Sequence, residues 1–288
     1  LEMAQVYQTY KPLLFSLAYR MLGSAMDAED IVHEAFILLG EADNETKINN
    51  MKAYLCNIVT NRCIDKLRSA AKQREVYIGQ WLPEPIIEDD INNPSISLDK
   101  KESISMAYLL LLQQLTEVER AVFLLREVFQ YEYEDIASIV GKSSTNCRQI
   151  FHRAKKGILH RVDSKRSDKH HSKTYIEKFS QAVLDGDIDQ IHAMLKKDAV
   201  FYSDGGGKVT AALRPIFSAD HIARFLLGVI TRLPENATYQ FKNVNGSPGI
   251  VIIINGRIDY VVSIEVNDGK IAKIYMVSNP DKLIHLNK

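Results

Sequence analysis

Residues 133–156 read YEDIASIVGKSSTNCRQIFHRAKK, and this stretch decides how the first half of the chain is understood. A short apolar segment (Ile136, Ala137, Ile139, Val140) runs into Gly141. Glycine accepts the left-handed backbone that ends a helix sharply. Ser143 or Ser144 then offers a hydroxyl to cap a second helix. That helix carries Ile150, Ala154 and Ile158 on one side and leaves Ser144, Thr145, Asn146, Arg148, Gln149, His152, Arg153 and Lys156 for the other. The spacing is that of a helix-turn-helix, whose second helix enters the major groove of DNA. Arginine suits guanine edges, asparagine and glutamine suit adenine, and the later bases fall where phosphates lie. A three-helix bundle with a charged surface fits the same pattern at this point.

Upstream, Thr116-Glu117-Val118-Glu119 forms a capping box before Val122, Leu125 and Val128, so residues 104–161 read as helical. Residues 4–77 are helical as well. Val6, Tyr10, Leu13, Leu17 and Met21 recur at helical spacing up to Gly23. Asp27 is expected to cap the next helix, with Glu29 and Asp30 in its first turn and Ile31, Val32, Ala35, Phe36 and Leu39 as its apolar stripe. A polar stretch, 43–50, precedes a third helix with Tyr54, Leu55, Ile58, Val59 and Leu67. Between the two helical segments lies Trp81-Leu82-Pro83-Glu84-Pro85, then Glu88, Asp89, Asp90 and Asn92-Asn93-Pro94. The prolines exclude a regular helix there. The chain's single tryptophan and Leu82 nonetheless need a surface to bury against.

After a polar, basic connection at 165–173 the pattern changes. Two helices are expected near 175–184 and 188–195, a strand at 199–203, a loop at Asp204-Gly205-Gly206-Gly207-Lys208 and a helix at 220–231. Strands at 238–244, 250–254, 258–266 and 271–277 follow, two of their connections being the hairpin dipeptides Asn255-Gly256 and Asp268-Gly269. Helices followed by an antiparallel meander imply an α+β domain.

The 288 residues are 46% hydrophobic and 25% charged, enough for two or three domains. No run of eighteen apolar residues occurs, so no membrane span is expected, and the start of the chain lacks the signature of a secretory signal. Leu1-Glu2 ahead of Met3 reads as a cloning remnant. Cys56, Cys63 and Cys147 are odd in number and widely spaced, as reduced thiols of the cytoplasm would be, and give no zinc spacing. Net charge is zero, yet Lys142, Arg148, Arg153, Lys155, Lys156, Arg161, Lys165, Arg166, Lys169 and Lys173 meet only Asp163 and Asp168. Such a basic block is a candidate phosphate-binding surface, or a solvated helix face with a linker.

These motifs together resemble the extracytoplasmic-function sigma factors of bacterial RNA polymerase. Asp27-Ala28-Glu29-Asp30-Ile31-Val32-His33-Glu34-Ala35-Phe36 resembles the polymerase-binding helix of sigma region two, with His33 where glutamine is commoner. Residues 53–55 through 65–68 resemble the helix that reads the −10 element, and 115–123 with the helix-turn-helix resembles region four, which reads the −35 element. The WLPEP motif at 81–85, the DGGGK motif at 204–208 and Asn279-Pro280-Asp281-Lys282-Leu283 resemble the subgroup with a fused SnoaL-like domain, a cone of the nuclear-transport-factor-two type.

The resemblance implies a multidomain chain. Residues 4–78 would be region two, 79–103 a linker and 104–163 region four, all-α apart from the linker, with 174–288 an α+β SnoaL-like domain. It implies core RNA polymerase and promoter DNA as partners, in the cytoplasm, with no membrane, cofactor or metal. Asp27, Glu29, Asp30 and Glu34 would meet polymerase, although acids at a helix start also serve its dipole. Asn57, Asn61, Arg62, Asp65, Lys66 and Arg68 would meet the −10 strand, with the 43–50 loop holding an extruded base.

In the C-terminal domain His192, Asp204, His221, Asp259 and Glu265 are the candidate acid–base groups, but no spacing resembles a catalytic set, so no enzyme is expected. The expected role is intramolecular docking. Trp81, Leu82 and Pro83 would anchor on the Asp204–Lys208 loop and on Asn279, Pro280, Asp281, Lys282 and Leu283, which would regulate access to polymerase and promoter. A helix-turn-helix regulator with a ligand-sensing domain, and an enzyme fused to a DNA-binding module, are the alternatives.

Overall fold

A computed structural model describes residues 3–41, 48, 50–74, 76–87, 104–159 and 172–287. Most of the 43–50 loop, the acidic stretch 88–94 and the bases Arg161, Lys165, Arg166 and Lys169 therefore lie outside the described residues. The described residues fall into two compact units. One is drawn from 3–76 and 108–159, the other from 77–87, 104–107 and 172–287.

The first unit is all helix: α1 (Met3–Leu22), α2 (Ala25–Glu41), α3 (Met51–Arg74), α5 (Glu117–Glu127), α6 (Tyr133–Val140) and α7 (Ser144–Leu159), with α4 (Met106–Leu112) at the division. Gly23, at φ +71°, ends α1 and donates its N–H to the Tyr19 carbonyl at 2.8 Å. The cap of α2 is Ser24, whose Oγ accepts the Asp27 N–H at 3.1 Å, so Asp27 lies in the first turn and is not the cap expected from sequence. Ser24 sits three residues ahead of that N–H, where a short hydroxyl reaches an orphan donor. The Thr116–Glu119 capping box is present on α5 in both directions.

Leu14, Leu17, Met21, Val32, Leu55, Val59, Val122 and Leu125 are buried in the helical core. Each such side chain contributes roughly 2 kcal/mol by leaving water. Within this core Arg120 is buried, its Nη1 donating to the Met21 carbonyl and its Nη2 to the Leu115 carbonyl at 3.3 Å. Arg120 thus ties the start of α5 to the end of α1.

The second unit is α+β. Helices α8 (Ser172–Asp185), α9 (Ile188–Met194) and α10 (Ala219–Ile230) accompany strands β1 (Leu195–Asp204), β2 (Ile216–Phe217), β3 (Thr238–Val244), β4 (Ser247–Ile254), β5 (Arg257–Asn267) and β6 (Lys270–Val277), and a short α11 (Pro280–Leu283) follows. The sheet order is β2-β1-β6-β5-β4-β3. Strands β3 to β6 form the expected antiparallel meander. Its turns at Asn245-Gly246, Asn255-Gly256 and Asp268-Gly269 have positive φ at both residues, the geometry that matches strand twist.

Two features depart from the sequence reading. Strand β1 starts at Leu195, earlier than expected, and pairs parallel with β6; the two-residue β2 pairs with β1 and carries no strand-like pattern of its own. Both pairings are non-local, so periodicity cannot reveal them. Phe179, Ile191, Phe201, Ile222, Ile264 and Ile274 form the core between helices and sheet.

Replacing Arg120 by methionine keeps the volume but takes the guanidinium donors from the buried Met21 carbonyl and the part-buried Leu115 carbonyl. A loss of about 2–4 kcal/mol is expected, since each unsatisfied group costs roughly 1–3 kcal/mol. The buried Cys63, whose thiol burial pushes far above its ordinary pKa, gives the readout. Its reaction with an aromatic disulfide reagent should accelerate in Arg120→Met; an unchanged rate would remove the structural role given to Arg120.

Candidate functional site

In the helix-turn-helix, Gly141 takes the left-handed conformation at φ +65° and Lys142 donates back to the Ala137 carbonyl at 3.0 Å. Ser143, rather than Ser144, caps α7, its Oγ accepting the Asn146 N–H at 3.2 Å. Cys147, Ile150, Phe151, Ala154 and Ile158 are buried along one side of α7. Thr145, Asn146, Arg148, Gln149, His152, Arg153 and Lys156 are exposed together on the other, with Ser144 half-buried at the helix start. Arg148 lies 3.6 Å from Glu134 and over the Tyr133 ring, and Arg153 lies 3.9 Å from Glu119. Both arginines are largely solvent-exposed, so these pairs are weak and exchangeable.

On α2 and α3 the candidate residues divide into two groups. Lys66 pairs with Asp27 at 2.9 Å and Arg62 with Glu34 at 3.0 Å, which joins two residues expected at DNA to two expected at polymerase. Glu29 is half-buried and Asp30 exposed on the same helix as those acids. Asn61 and Arg68 turn toward α6 and α5, and Asn57 bonds Asn61. Asn61 donates to Asn57 Oδ1 at 2.5 Å and to the Ile139 carbonyl at 3.2 Å, and Arg68 reaches Glu117 at 3.1 Å. Asp65 is 4.0 Å from Arg68. The Glu117 carboxyl is held below its ordinary pKa by its own backbone N–H at the helix start, with Arg68 a further cause. His33, at the position where glutamine is commoner in the resembled family, stacks on Tyr7 and lies 3.0 Å from its hydroxyl.

In the second unit the three motifs meet at one carboxylate. Asp204 has no solvent exposure. Its Oδ1 accepts the Tyr77 hydroxyl at 2.5 Å and the Gly206 N–H at 3.0 Å; its Oδ2 accepts the Leu82 N–H at 2.8 Å and the Lys282 ammonium at 2.6 Å. Lys282 also donates to the Leu82 carbonyl and sits 3.9 Å from the Trp81 ring centroid. Asn279 caps α11 and donates to the Tyr77 hydroxyl at 2.9 Å, and Lys208 pairs with Asp281 at 2.6 Å. Leu82, Pro83, Glu84, Pro85 and Ile86 are buried, and Leu283 is buried in α11. Burial, then donation to the Asp204 anion, pushes the Tyr77 phenol well above its ordinary pKa.

The glycine run owes its composition to close approach. A Cβ on Gly206 would meet Asn279 at 2.2 Å, one on Gly207 would meet Ile78 at 2.9 Å, and one on Gly205 would meet the Val209 carbonyl at 2.7 Å. Gly206 and Gly207 also have positive φ.

The candidate acid–base groups do not converge. Asp204 is committed to Lys282, Glu265 to Tyr275 and Lys273, His192 lies 3.9 Å from Asp220, His221 bonds the Phe217 carbonyl, and Asp259 stands on the same strand as Glu265, toward its other end. Among the described residues no group of three or more histidines, cysteines and acids is placed to hold a metal, and no helix is long and apolar enough to cross a membrane.

Residues 6–73 match the model of sigma-70 region 2, and residues 105–157 match that of sigma-70 region 4. The extracytoplasmic-function (ECF) RNA polymerase sigma factor SigJ of Mycobacterium tuberculosis is 31% identical over 288 aligned residues, spanning 96% of this chain and 91% of the relative. The chain belongs to the ECF RNA polymerase sigma factors. The probable ECF sigma factor SigI of the same organism is 26% identical, with 96% and 93% covered. The crystal structure of the M. tuberculosis SigJ protein superposes with a TM-score of 0.78 at 28% identity, covering 98% of both chains. The sigma factor described here thus shares its fold along nearly the whole length, C-terminal unit included.

Sequence reasoning missed several residues that hold the linker in this sigma factor. Tyr77 carries no pattern that marks it. His285 lies 2.8 Å from the Pro85 carbonyl, and the buried Asn245 accepts the Ile86 N–H at 3.1 Å while its own N–H reaches the Ile86 carbonyl at 2.9 Å. The Asn245-Gly246 dipeptide signals a turn, but nothing in it announces a side chain turned inward.

Asp204→Asn leaves the Lys282 ammonium buried without its anion, a change of roughly 3–5 kcal/mol when one partner of a buried pair is lost. Tyr77→Phe removes two hydrogen bonds, the one it donates to Asp204 and the one it accepts from Asn279, and should cost about 1–3 kcal/mol. The single tryptophan reports both: Trp81 emission should shift to the red, and protease cleavage within 77–87 should accelerate, more in Asp204→Asn than in Tyr77→Phe. Emission and cleavage that match the parent in Asp204→Asn would refute the clamp.

Proposed function

We propose that this sigma factor binds core RNA polymerase through the acids of α2 (Asp27, Glu29, Asp30 and Glu34) and reads promoters with two helices, and that its C-terminal domain controls it in cis. Helix α3 would meet the −10 strand through Asn57, Asn61, Arg62, Asp65, Lys66 and Arg68. Helix α7 would meet the −35 duplex through Ser144, Thr145, Asn146, Arg148, Gln149, His152, Arg153 and Lys156. The site of action would be the cytoplasm, where polymerase and promoter DNA are found. We read the C-terminal domain as a SnoaL-like cone; three helices on one face of a six-stranded sheet, with an apolar hollow between them, support that reading.

One observation carries the regulatory part: the buried Asp204 carboxylate holds the beginning of the linker through Tyr77 and the Leu82 N–H. The linker joins the two promoter-reading modules. A linker fixed along its first residues has a shorter free length, which restricts how far the modules can separate. Opposed to that is the need of a promoter for two contacts at once. Releasing the clamp should therefore change transcription, and Trp81, Leu82 and Pro83 with Asn279 to Leu283 are the contacts through which it would act.

A second contribution to control comes from α3 itself. Asn61 and Arg68, proposed to face DNA, are engaged by α6 and α5. Binding an opened promoter would require those contacts to be exchanged for bases and phosphates.

Run-off transcription with purified core polymerase tests the regulatory reading. Asp204→Asn and Trp81→Ala should each alter promoter output relative to the parent, while Lys196→Ala, which belongs to no motif and whose ion pair is with Asp268, should not. Equal output from all four proteins would overturn control through the linker. Glu117→Gln releases Arg68 and should raise affinity for a single-stranded −10 oligonucleotide by a few-fold, as expected for an exposed pair worth up to about 1 kcal/mol. Arg148→Ala should weaken −35-dependent output by roughly 5- to 100-fold, the range of a base contact worth about 1–3 kcal/mol. A promoter that is insensitive to both would remove the assignment of α3 and α7.

A further inference from the structure

Apart from the apolar hollow, the C-terminal domain contains a cleft of about 370 Å³ between the β4–β5 hairpin and α11. Its volume falls within the roughly 300–1,000 Å³ of small-molecule sites. Val209, Ile254, Pro280 and Leu283 supply an apolar wall. Several of its polar groups are already engaged. Asn255 accepts from Asn236 at 2.6 Å, Ser278 donates to the Asp204 carbonyl at 3.3 Å, and the Asn287 side chain is shared between Ile258 and Leu283. Arg257 and Asp259 differ. Both are exposed, and among the described residues neither side chain has a hydrogen-bond or ion-pair partner. Positions two apart on a strand are about 7 Å from each other, within reach of a long arginine side chain. The backbone accounts for their not meeting. Ile253 pairs with Ile258 and Ile252 with Tyr260, which makes Asp259 the extra residue of a β-bulge. A bulge re-aims the side chain it carries. The cleft thus offers one free cation and one free anion, held apart, beside an apolar wall.

We propose that this cleft binds a zwitterionic dipeptide with apolar side chains. The Arg257 guanidinium takes the carboxylate in the two-pronged geometry that suits it, and the Asp259 carboxylate takes the ammonium. The charged ends of an extended dipeptide are about 7 Å apart, as the two backbone positions are. A cavity of about 150 Å³ holds one benzene ring, so this one has room for roughly fifteen non-hydrogen atoms, the size of alanyl-leucine. A fatty acid or an amine engages only one of the two charges. None of the four donors to Asp204 lines the cleft, so the proposal does not rest on control through the linker.

Isothermal titration calorimetry of the full chain with alanyl-leucine at neutral pH tests this. Saturable binding at one site per chain is expected. N-acetyl-alanyl-leucine, which lacks the ammonium, and alanyl-leucinamide, which lacks the carboxylate, should each bind at least ten-fold more weakly. Free leucine, whose charges are closer together, should do the same. Arg257→Gln should bind alanyl-leucine and its amide alike, and Asp259→Asn should bind alanyl-leucine and its N-acetyl form alike. Both residues are exposed, so both variants should keep the parent's circular dichroism. No saturable binding at millimolar dipeptide, leucine or a blocked dipeptide binding as tightly as alanyl-leucine, or unchanged discrimination in either variant would each overturn the proposal. A chain shortened by Lys288 that binds alanyl-leucine when the full chain does not would assign the cleft to Lys288, and that result would overturn it as well.

Discussion

A carboxylate removed from water must be matched by donors inside the fold or surrender its charge. Asp204 is matched on both oxygens, by a phenol, an ammonium and two backbone N–H groups drawn from three separate stretches of the chain. Two of those four donors belong to residues 77–82, more than 120 positions upstream, and one to Lys282, 78 positions downstream. The path of the linker along the C-terminal domain follows from this one requirement. Lys282 completes it by satisfying the Leu82 carbonyl and by lying against the Trp81 ring, where desolvation strengthens the attraction between cation and aromatic face.

The glycines that follow that carboxylate serve the same end. Asn279 and Ile78 could not approach the loop if Gly206 or Gly207 carried a side chain. Strand β6 then links this node to the rest of the domain. Its Val277 pairs with Asp204 across the parallel ladder, and the N–H groups of Ser278 and Asn279 both reach the Asp204 carbonyl. Earlier on the same strand, Ile274 and Met276 form part of the wall of the apolar hollow. The clamp and the hollow thus share a structural member, although they are distinct in chemistry: one is a saturated polar network, the other an apolar space.

In the helical unit, charge plays a lighter part. The pairs Lys66–Asp27, Arg62–Glu34 and Arg68–Glu117 are all partly exposed, so each holds its helices weakly and exchanges readily. Firm attachment comes instead from the apolar core and from Arg120, whose guanidinium is buried against carbonyls. A sigma factor must give up surface contacts to polymerase and promoter while each helical module stays folded. Weak pairs outside and an apolar core inside are compatible with that demand.

Local chemistry was legible in the residues alone. The capping box at Thr116, the left-handed Gly141, the amphipathic split of α7 and the two hairpin dipeptides each depend on neighbours within a few positions, so composition and spacing suffice to place them. The WLPEP, DGGGK and NPDKL motifs were recognisable as pieces that belong together, but not how they meet. The capping role of Ser24, the parallel pairing of β1 with β6, the recruitment of Tyr77, Asn245 and His285, and the engagement of Asn61 and Arg68 by α6 and α5 join residues between 49 and 202 positions apart or turn on a side-chain rotamer. Only the folded chain decides such contacts, because the free energy that selects them comes from burial and from matching polar groups that sequence order keeps apart.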